Sequence, residues 1–239
     1  MMSIELFTDK ISNNDNFVFL KIGDGEIISM QFKEGENIDG HKYSKDLGND
    51  NIEGYKYLSS IGAYISDWYS SNPPKNPHDF PNFKFFNHFN NENNIKPNFI
   101  SPFEVLMIQK NKLGDKSLLE FYRSITNSKR KKIYVGPERL KGICNYLKID
   151  DYITIPLVNA YDEKDKIYEE IKNAITDDCI ILFSVGLQSP GLISDIHKFK
   201  NNITLLDIGS GFDSLIVGNT RWGQPTTQQA KNYYKELLN

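Results

Sequence analysis

The sequence predicts an α/β protein of Rossmann-like type, a mostly parallel sheet with helices on both faces. Two observations lead there. Beyond about residue 130, short apolar runs rich in β-branched residues alternate with longer amphipathic segments, the rhythm of successive βαβ units. Those runs are apolar at nearly every position rather than every second one, as strands must be when helices cover both faces of a sheet.

Taken in order, residues 16–22 carry Phe17-Val18-Phe19-Leu20, a strand that runs straight into the turn Gly23-Asp24-Gly25-Glu26. Residues 47–68 place Leu58, Ile61, Tyr64, Ile65 and Trp68 at helical intervals and are expected as one helix. Pro73, Pro74, Pro77 and Pro81 then end it in a long loop, a candidate lid. Residues 83–89, aromatic and broken by Asn and His, fit a packed loop as well as a strand. The segment around 70–105 is thus the less regular part of what is expected to be one domain over residues 1–239.

Four further strands are predicted at residues 132–135, 153–158, 179–185 and 203–208. Between them lie helical segments. Residues 137–147 begin with proline at a favoured first-turn position, and residues 162–175 space Ile167, Ile171, Ala174 and Ile175 helically. Residues 189–199 put Leu192, Ile193 and Ile196 on one face, and residues 226–238 start at a threonine N-cap.

Composition removes several function classes. The formal charge of −3, from 28 basic and 31 acidic residues, offers no field for nucleic acid. The basic run Lys129-Arg130-Lys131-Lys132 reads as a solvated lead into a strand. Cys144 and Cys179 lie far apart without metal-ligand spacing and read as buried free thiols. No apolar run approaches the roughly 18 residues of a membrane helix, and Met1 to Lys10 lacks a leader pattern, so a cytoplasmic protein is expected.

Ligands of open parallel sheets bind beyond the carboxyl ends of the strands. Five turns fall there: residues 23–26, 136–139, 159–162, 186–191 and 209–213. Glycines directly after strands allow close backbone approach to a ligand, and exposed amides at the next helix start favour phosphate. Asp24 and Glu26 flank a residue without a side chain; as hard oxygen ligands they suit Mg²⁺ or Mn²⁺, or one of them acts as a carboxylate base. Arg139 offers forked contacts to phosphate, and Arg221 lies in a polar, aromatic loop that could close over a ligand. Among the histidines, His41 after Gly40 is the one suited to a site. Asp213 is a candidate base, or a cap of the next helix.

The segment Leu206-Asp207-Ile208-Gly209-Ser210-Gly211 resembles the cofactor turn of S-adenosylmethionine-dependent methyltransferases. In that fold the turn comes early, whereas here too few residues follow Asp213 to complete the sheet. Methyl transfer by a permuted topology is the runner-up, and a non-catalytic nucleotide-binding domain is a third reading.

The ordered motifs resemble those of the GT-D-type glycosyltransferases, a family once known only as a domain of unknown function. Phe19-Leu20-Lys21-Ile22-Gly23-Asp24-Gly25-Glu26 is similar to the family's early glycine and D-x-E signature. Val135-Gly136-Pro137-Glu138-Arg139 is similar to its central G-P-E-R turn, Ile155-Pro156 through Asn159-Ala160-Tyr161 to its P-x-x-N-A-aromatic segment, and Leu206-Asp207-Ile208-Gly209 to its late strand. The likeness spans residues 16–215. Lys21 and Ile22 depart from the family's Arg and aromatic residue, and residues 186–191 match its fourth loop only loosely.

The resemblance implies a Rossmann-like enzyme moving a sugar from a nucleotide-diphosphate donor, commonly a UDP-sugar, to a hydroxyl of a glycan or glycoconjugate, with Mn²⁺ or Mg²⁺. It implies that Asp24 and Glu26 are essential and hold the metal. With the turns above, it marks Asp24, Glu26 and Asp213 as catalytic candidates. Gly23, Gly25, Gly136, Pro137, Glu138, Arg139, Gly186, Ser189, Asp207 and Gly209 become nucleotide contacts, and Lys21, His41, Asn159 and Arg221 substrate contacts.

Overall fold

The computed structural model describes residues 4–36, 40–67, 80–99, 106–221 and 223–238. After helix α1 (Ile4–Ser12), strand β1 (Val18–Ile22) leads into α2 (Asp24–Met30). A small antiparallel pair, β2 (Gly35–Glu36) and β3 (Lys42–Tyr43), precedes α3 (Lys45–Ser60), β4 (Tyr64–Asp67), α4 (Phe80–Glu92), β5 (Asn98–Phe99) and α5 (Ser117–Asn127). Then come β6 (Lys131–Pro137), α6 (Cys144–Leu147), β7 (Asp151–Ile155), α7 (Lys164–Ala174), β8 (Cys179–Phe183), α8 (Ser189–Phe199), β9 (Thr204–Asp207), α9 (Asp213–Ile216) and α10 (Thr227–Tyr234).

Seven strands form one sheet in the order β5-β4-β1-β9-β8-β6-β7, and every pairing is parallel. The predicted α/β architecture is therefore the observed one. Helices cover both faces: α2, α3, α4, α7 and α8 pack on one, and α1, α5, α6, α9 and α10 on the other. Strand β8 is buried at all five positions, which explains its unbroken apolar sequence.

Glycine sets how closely α3 and α8 approach. A Cβ on Gly54 would sit 2.3 Å from the Pro190 carbonyl oxygen, and one on Gly191 3.1 Å from the Asp50 Cβ. No larger side chain fits at Gly54 without moving a helix backbone.

The structure corrects several expectations. Residues 47–68 are not one helix: α3 ends at Ser60, Gly62 takes a left-handed φ of 77°, and Tyr64–Asp67 forms β4. Residues 83–89 lie within α4, whose inward row is Asn82, Phe86 and Asn90. Pro81 sits in the first turn of that helix, where its missing N–H costs nothing; Pro73, Pro74 and Pro77 lie outside the described residues. The helices predicted at 137–147 and 162–175 each open with a 3₁₀ segment, Glu138–Ile143 and Ala160–Glu163. Cys144 is half-buried rather than buried, and strand β7 stops at Ile155, leaving Leu157 and Val158 exposed.

Of the basic run, only Lys129 is exposed. Arg130 and Lys132 are 4% and 6% exposed. Arg130 pairs with Asp178 and donates to Asn16, Thr204 and the Cys179 carbonyl; Lys132 donates to the Ser128 and Arg130 carbonyls and pairs with Asp150. Lys131 pairs with Asp151 and donates to the Ala174 carbonyl. Together they pin the amino-terminal ends of the central strands.

Candidate active site

Strands β1 and β9 are neighbours, but the chain leaves β1 toward α2 on one face and leaves β9 toward α9 on the other. Such a divergence opens a crevice at the carboxyl edge, where ligands of this architecture bind. The walls of the crevice come from Lys21 to Glu26 and from Asp207 to Asp213.

Glu26 occupies the third position of α2 and folds back, so that Oε2 accepts the Gly23 N–H at 2.8 Å. Asp24, at the first position, is exposed, and its Oδ1 accepts the Gly25 N–H at 2.9 Å. Residues two apart on a helix do not face one another. Glu26 accordingly finds its electrostatic partner elsewhere: burial, then the carboxylate of Asp207, then Asp24 push its pKa up to about 7. Asp207, 3% exposed, is raised to about 6 by burial, against the opposing pull of the Lys21 charge and hydrogen bonds from the Lys21 and Gly209 amides and the Ser189 side chain.

Lys21 is buried beside this pair. A Cβ on Gly209, where φ is 47°, would lie 2.9 Å from the Lys21 Nζ, so the glycine both makes the left-handed turn and clears room for the amine. Ser184 supports the turn from behind, donating to the Gly209 carbonyl at 2.6 Å while meeting the Tyr134 hydroxyl at 2.8 Å.

The predicted site residues fall into two further groups. Arg139 lies 3.7 Å from Asp213, the first residue of α9, whose pKa is raised by burial against the opposing Thr220 hydroxyl, Arg139, Arg221 and Lys21. Thr220 donates to Asp213 at 2.6 Å. In the second group, His41 packs against Gly186, and its Nδ1 accepts the Asn159 N–H at 3.4 Å. Asn159 is left-handed with φ 55°, and its Oδ1 accepts the Lys42 N–H, tying the β2–β3 hairpin to the loop after β7. Ser189 joins the groups by donating to the Gly186 carbonyl and reaching Asp207.

Three predicted residues stand apart. Gly136 and Pro137 are still inside β6, the Pro137 carbonyl accepting the Tyr152 hydroxyl at 2.6 Å. Glu138 turns outward to Thr154 and Lys141.

Sequence reasoning missed Asn51, Thr220 and Gln224. Asn51 Nδ2 donates to Ser29 Oγ of α2 at 2.8 Å and to the Leu187 carbonyl at 2.7 Å, joining α2 to the loop after β8. Gln224 Oε1 accepts the Thr220 and Arg221 amides, and its Nε2 donates to the Ser210 carbonyl, folding that loop onto the turn after β9. No sequence signal marks a lone amide in a polar helix or loop.

Among the described residues no group of three His, Cys, Asp or Glu side chains could hold a metal by itself, and no helix is long and apolar enough to cross a membrane. A magnesium-type ion needs only one or two carboxylates when phosphate oxygens and water supply the rest. The solvent-facing oxygens of Asp24, within electrostatic range of Glu26, fit that mode.

Neither a family model nor a curated protein matches the sequence. Solved structures do. A structure described as a new glycosyltransferase (DUF1792) from Streptococcus sanguinis superposes with a TM-score of 0.58 at 18% identity, over 89% of this chain and 81% of the other. A selenomethionine structure of domain of unknown function 1792 gives 0.61 at 17%, over 97% and 93%. A third, in which that domain is described as having a distinct glycosyltransferase fold, gives 0.59 at 18%, over 100% and 89%. The chain is thus an α/β protein with the fold of the DUF1792 domain.

Proposed function

We propose that this protein is a glycosyltransferase that moves a sugar from a nucleotide-diphosphate donor, a UDP-sugar, to a hydroxyl of a glycan or glycoconjugate. The observation that carries the reading is the gathering of Asp24, Glu26, Asp207 and Lys21 at the β1/β9 crevice, in a fold shared with structures described as glycosyltransferases. Perturbed carboxylates in a crevice at the carboxyl edge are the expected mark of a working site.

Asp24, open to solvent, would hold Mn²⁺ or Mg²⁺ together with the donor's phosphate oxygens. When bound, such a cation neutralises the charge that builds on the departing diphosphate. Lys21 and Arg139 add fixed positive charge on the same side, Arg139 through a planar fork that suits phosphate. Glu26 titrates near neutrality, which suits a general base that takes the acceptor hydroxyl's proton. His41 and Asn159, beside Gly186, serve as acceptor contacts, and the loop carrying Arg221, held onto the turn after β9, adds its charge near Asp213. Methyl transfer, the runner-up, draws no support from the turn at Asp207, whose carboxylate is held inward by Lys21 and Gly209.

Titration calorimetry with UDP, with and without Mn²⁺, tests the proposal. UDP is expected to bind only with the metal, and Asp24→Ala to abolish that dependence. Absence of binding by UDP and by every other nucleoside diphosphate would sink it.

A further inference from the structure

A second cavity lies outside the crevice, between α7 and α8 with Asp50 of α3 at its rim, and has a volume of about 480 Å³. It is within the usual size range of small-molecule sites, roughly 300–1,000 Å³. Three aromatic rings line it, each with a lysine over one face: Tyr161 under Lys164, and Tyr168 and Phe199 under Lys172. Gln188, 3% exposed, also lines it, and its Oε1 and Nε2 make no hydrogen bond among the described residues. A buried amide with both halves unsatisfied is costly, on the order of 1–3 kcal/mol, unless something occupies the space beside it.

The charges of the wall say what that occupant is not. Both lysines are committed, Lys164 to Asp50 at 2.7 Å and Lys198 to Asp195 at 3.3 Å, and Asp165 adds a further negative charge. An anion would find no cation to spare. The wall suits a neutral molecule with flat apolar faces to lie on aromatic rings and hydroxyls to meet an amide and carboxylates. A pyranose sugar has both. Gln188 is also the immediate neighbour in sequence of Ser189, the residue that reaches Asp207.

We propose that this cavity binds neutral saccharide units, those of the acceptor glycan that lie beyond the reacting hydroxyl. The acceptor role rests on the glycosyl-transfer reading above; the saccharide site itself does not.

The test is a titration of the donor-free protein with maltotriose, cellotriose and chitotriose at millimolar concentration, followed by NMR at the Gln188 side-chain amide and the Tyr161 and Tyr168 rings. At least one trisaccharide should shift these signals saturably, and inorganic phosphate should not. Gln188→Leu should weaken binding about tenfold. Because Gln188 is buried, the exposed Phe199→Ser provides a second variant, expected to weaken binding about threefold or more with no change in melting temperature. If no trisaccharide moves the signals, if both variants bind as the parent does, or if phosphate alone moves them, the saccharide site is overturned. Trisaccharide binding without UDP binding in the same preparation would remove the acceptor role and leave the saccharide site standing.

Discussion

The two ends of the sheet handle charge in opposite ways. At the amino-terminal end, Arg130, Lys131 and Lys132 are each surrounded by carbonyls and carboxylates, and their charge is fully compensated. At the carboxyl end, Glu26 and Asp207 raise one another's cost of ionisation, and burial pushes both of them, and Asp213 nearby in the sequence, toward the protonated form. The first end is built for stability. The second tolerates unfavourable electrostatics that a folded protein has no reason to keep unless a ligand relieves it.

Substitutions at the two ends should therefore separate activity from stability. The largest effect is expected from Glu26→Gln, which should lower sugar transfer by about 10²–10⁴-fold while leaving the thermal midpoint unchanged or higher; a parallel loss of fold would erase the contrast between the ends. Arg130→Met should do the reverse. It strands the Asn16, Thr204 and Cys179 acceptors and is expected to cost about 1–3 kcal/mol, read from the urea midpoint, with unchanged UDP affinity in the folded protein.

Gly54→Ala probes a region belonging to neither end. The added methyl meets the Pro190 carbonyl, so a loss of about 1–3 kcal/mol is expected in the same urea measurement.

The smallest effect is in pH. The folded pKa of Glu26, about 7, lies above its ordinary value of 4.5, and that of Asp207, about 6, above 3.8. Between these values the folded state retains protons that the unfolded state has released, so stability falls as pH rises through the window. In metal-free buffer the thermal midpoint should drop by a few degrees, about 2–5 °C, between pH 5 and pH 8, and by less in Glu26→Gln. An equal drop in both would place the titrating groups elsewhere.

How much of this was legible in the sequence follows from how each signal arises. The four later strands and the turns after them were readable because a doubly covered strand must be continuously apolar, as β8 is. Strand β4 was hidden because Leu58, Ile61, Tyr64 and Ile65 keep a helical spacing across the boundary; only Gly62, a left-handed stop after α3, marks the break. Helix α4 was hidden by its composition. Its inward row contains Asn82 and Asn90, which bond Gln31 and the Tyr55 hydroxyl, so a buried stripe reads as polar. Helix α5 is legible by the same rule, since Leu118, Leu119, Tyr122 and Ile125 keep a helical period on its inward face.

At the candidate site, residue types were legible and partnerships were not. Sequence proximity joined Asp24 to Glu26, whereas the fold joins Glu26 to Asp207, 181 positions along the numbering, through a strand pairing that no local pattern encodes. The burial of Arg130 escapes the sequence for a related reason: its acceptors, Asp178, Thr204 and the Cys179 carbonyl, come from the chain just before β8, from β9 and from β8.

The amide of Asn51 holds α2 and the loop after β8 in a single grip. The segment bearing Asp24 and Glu26 and the segment bearing Gly186 and Ser189 are consequently tied to one another through a single side chain. Diversification of ligand preference in chains of this design would then fall to the pieces outside that grip, the β2–β3 hairpin with His41 and the loop from Asn219 to Gln224. Loop grafting between related chains should respect the same seam.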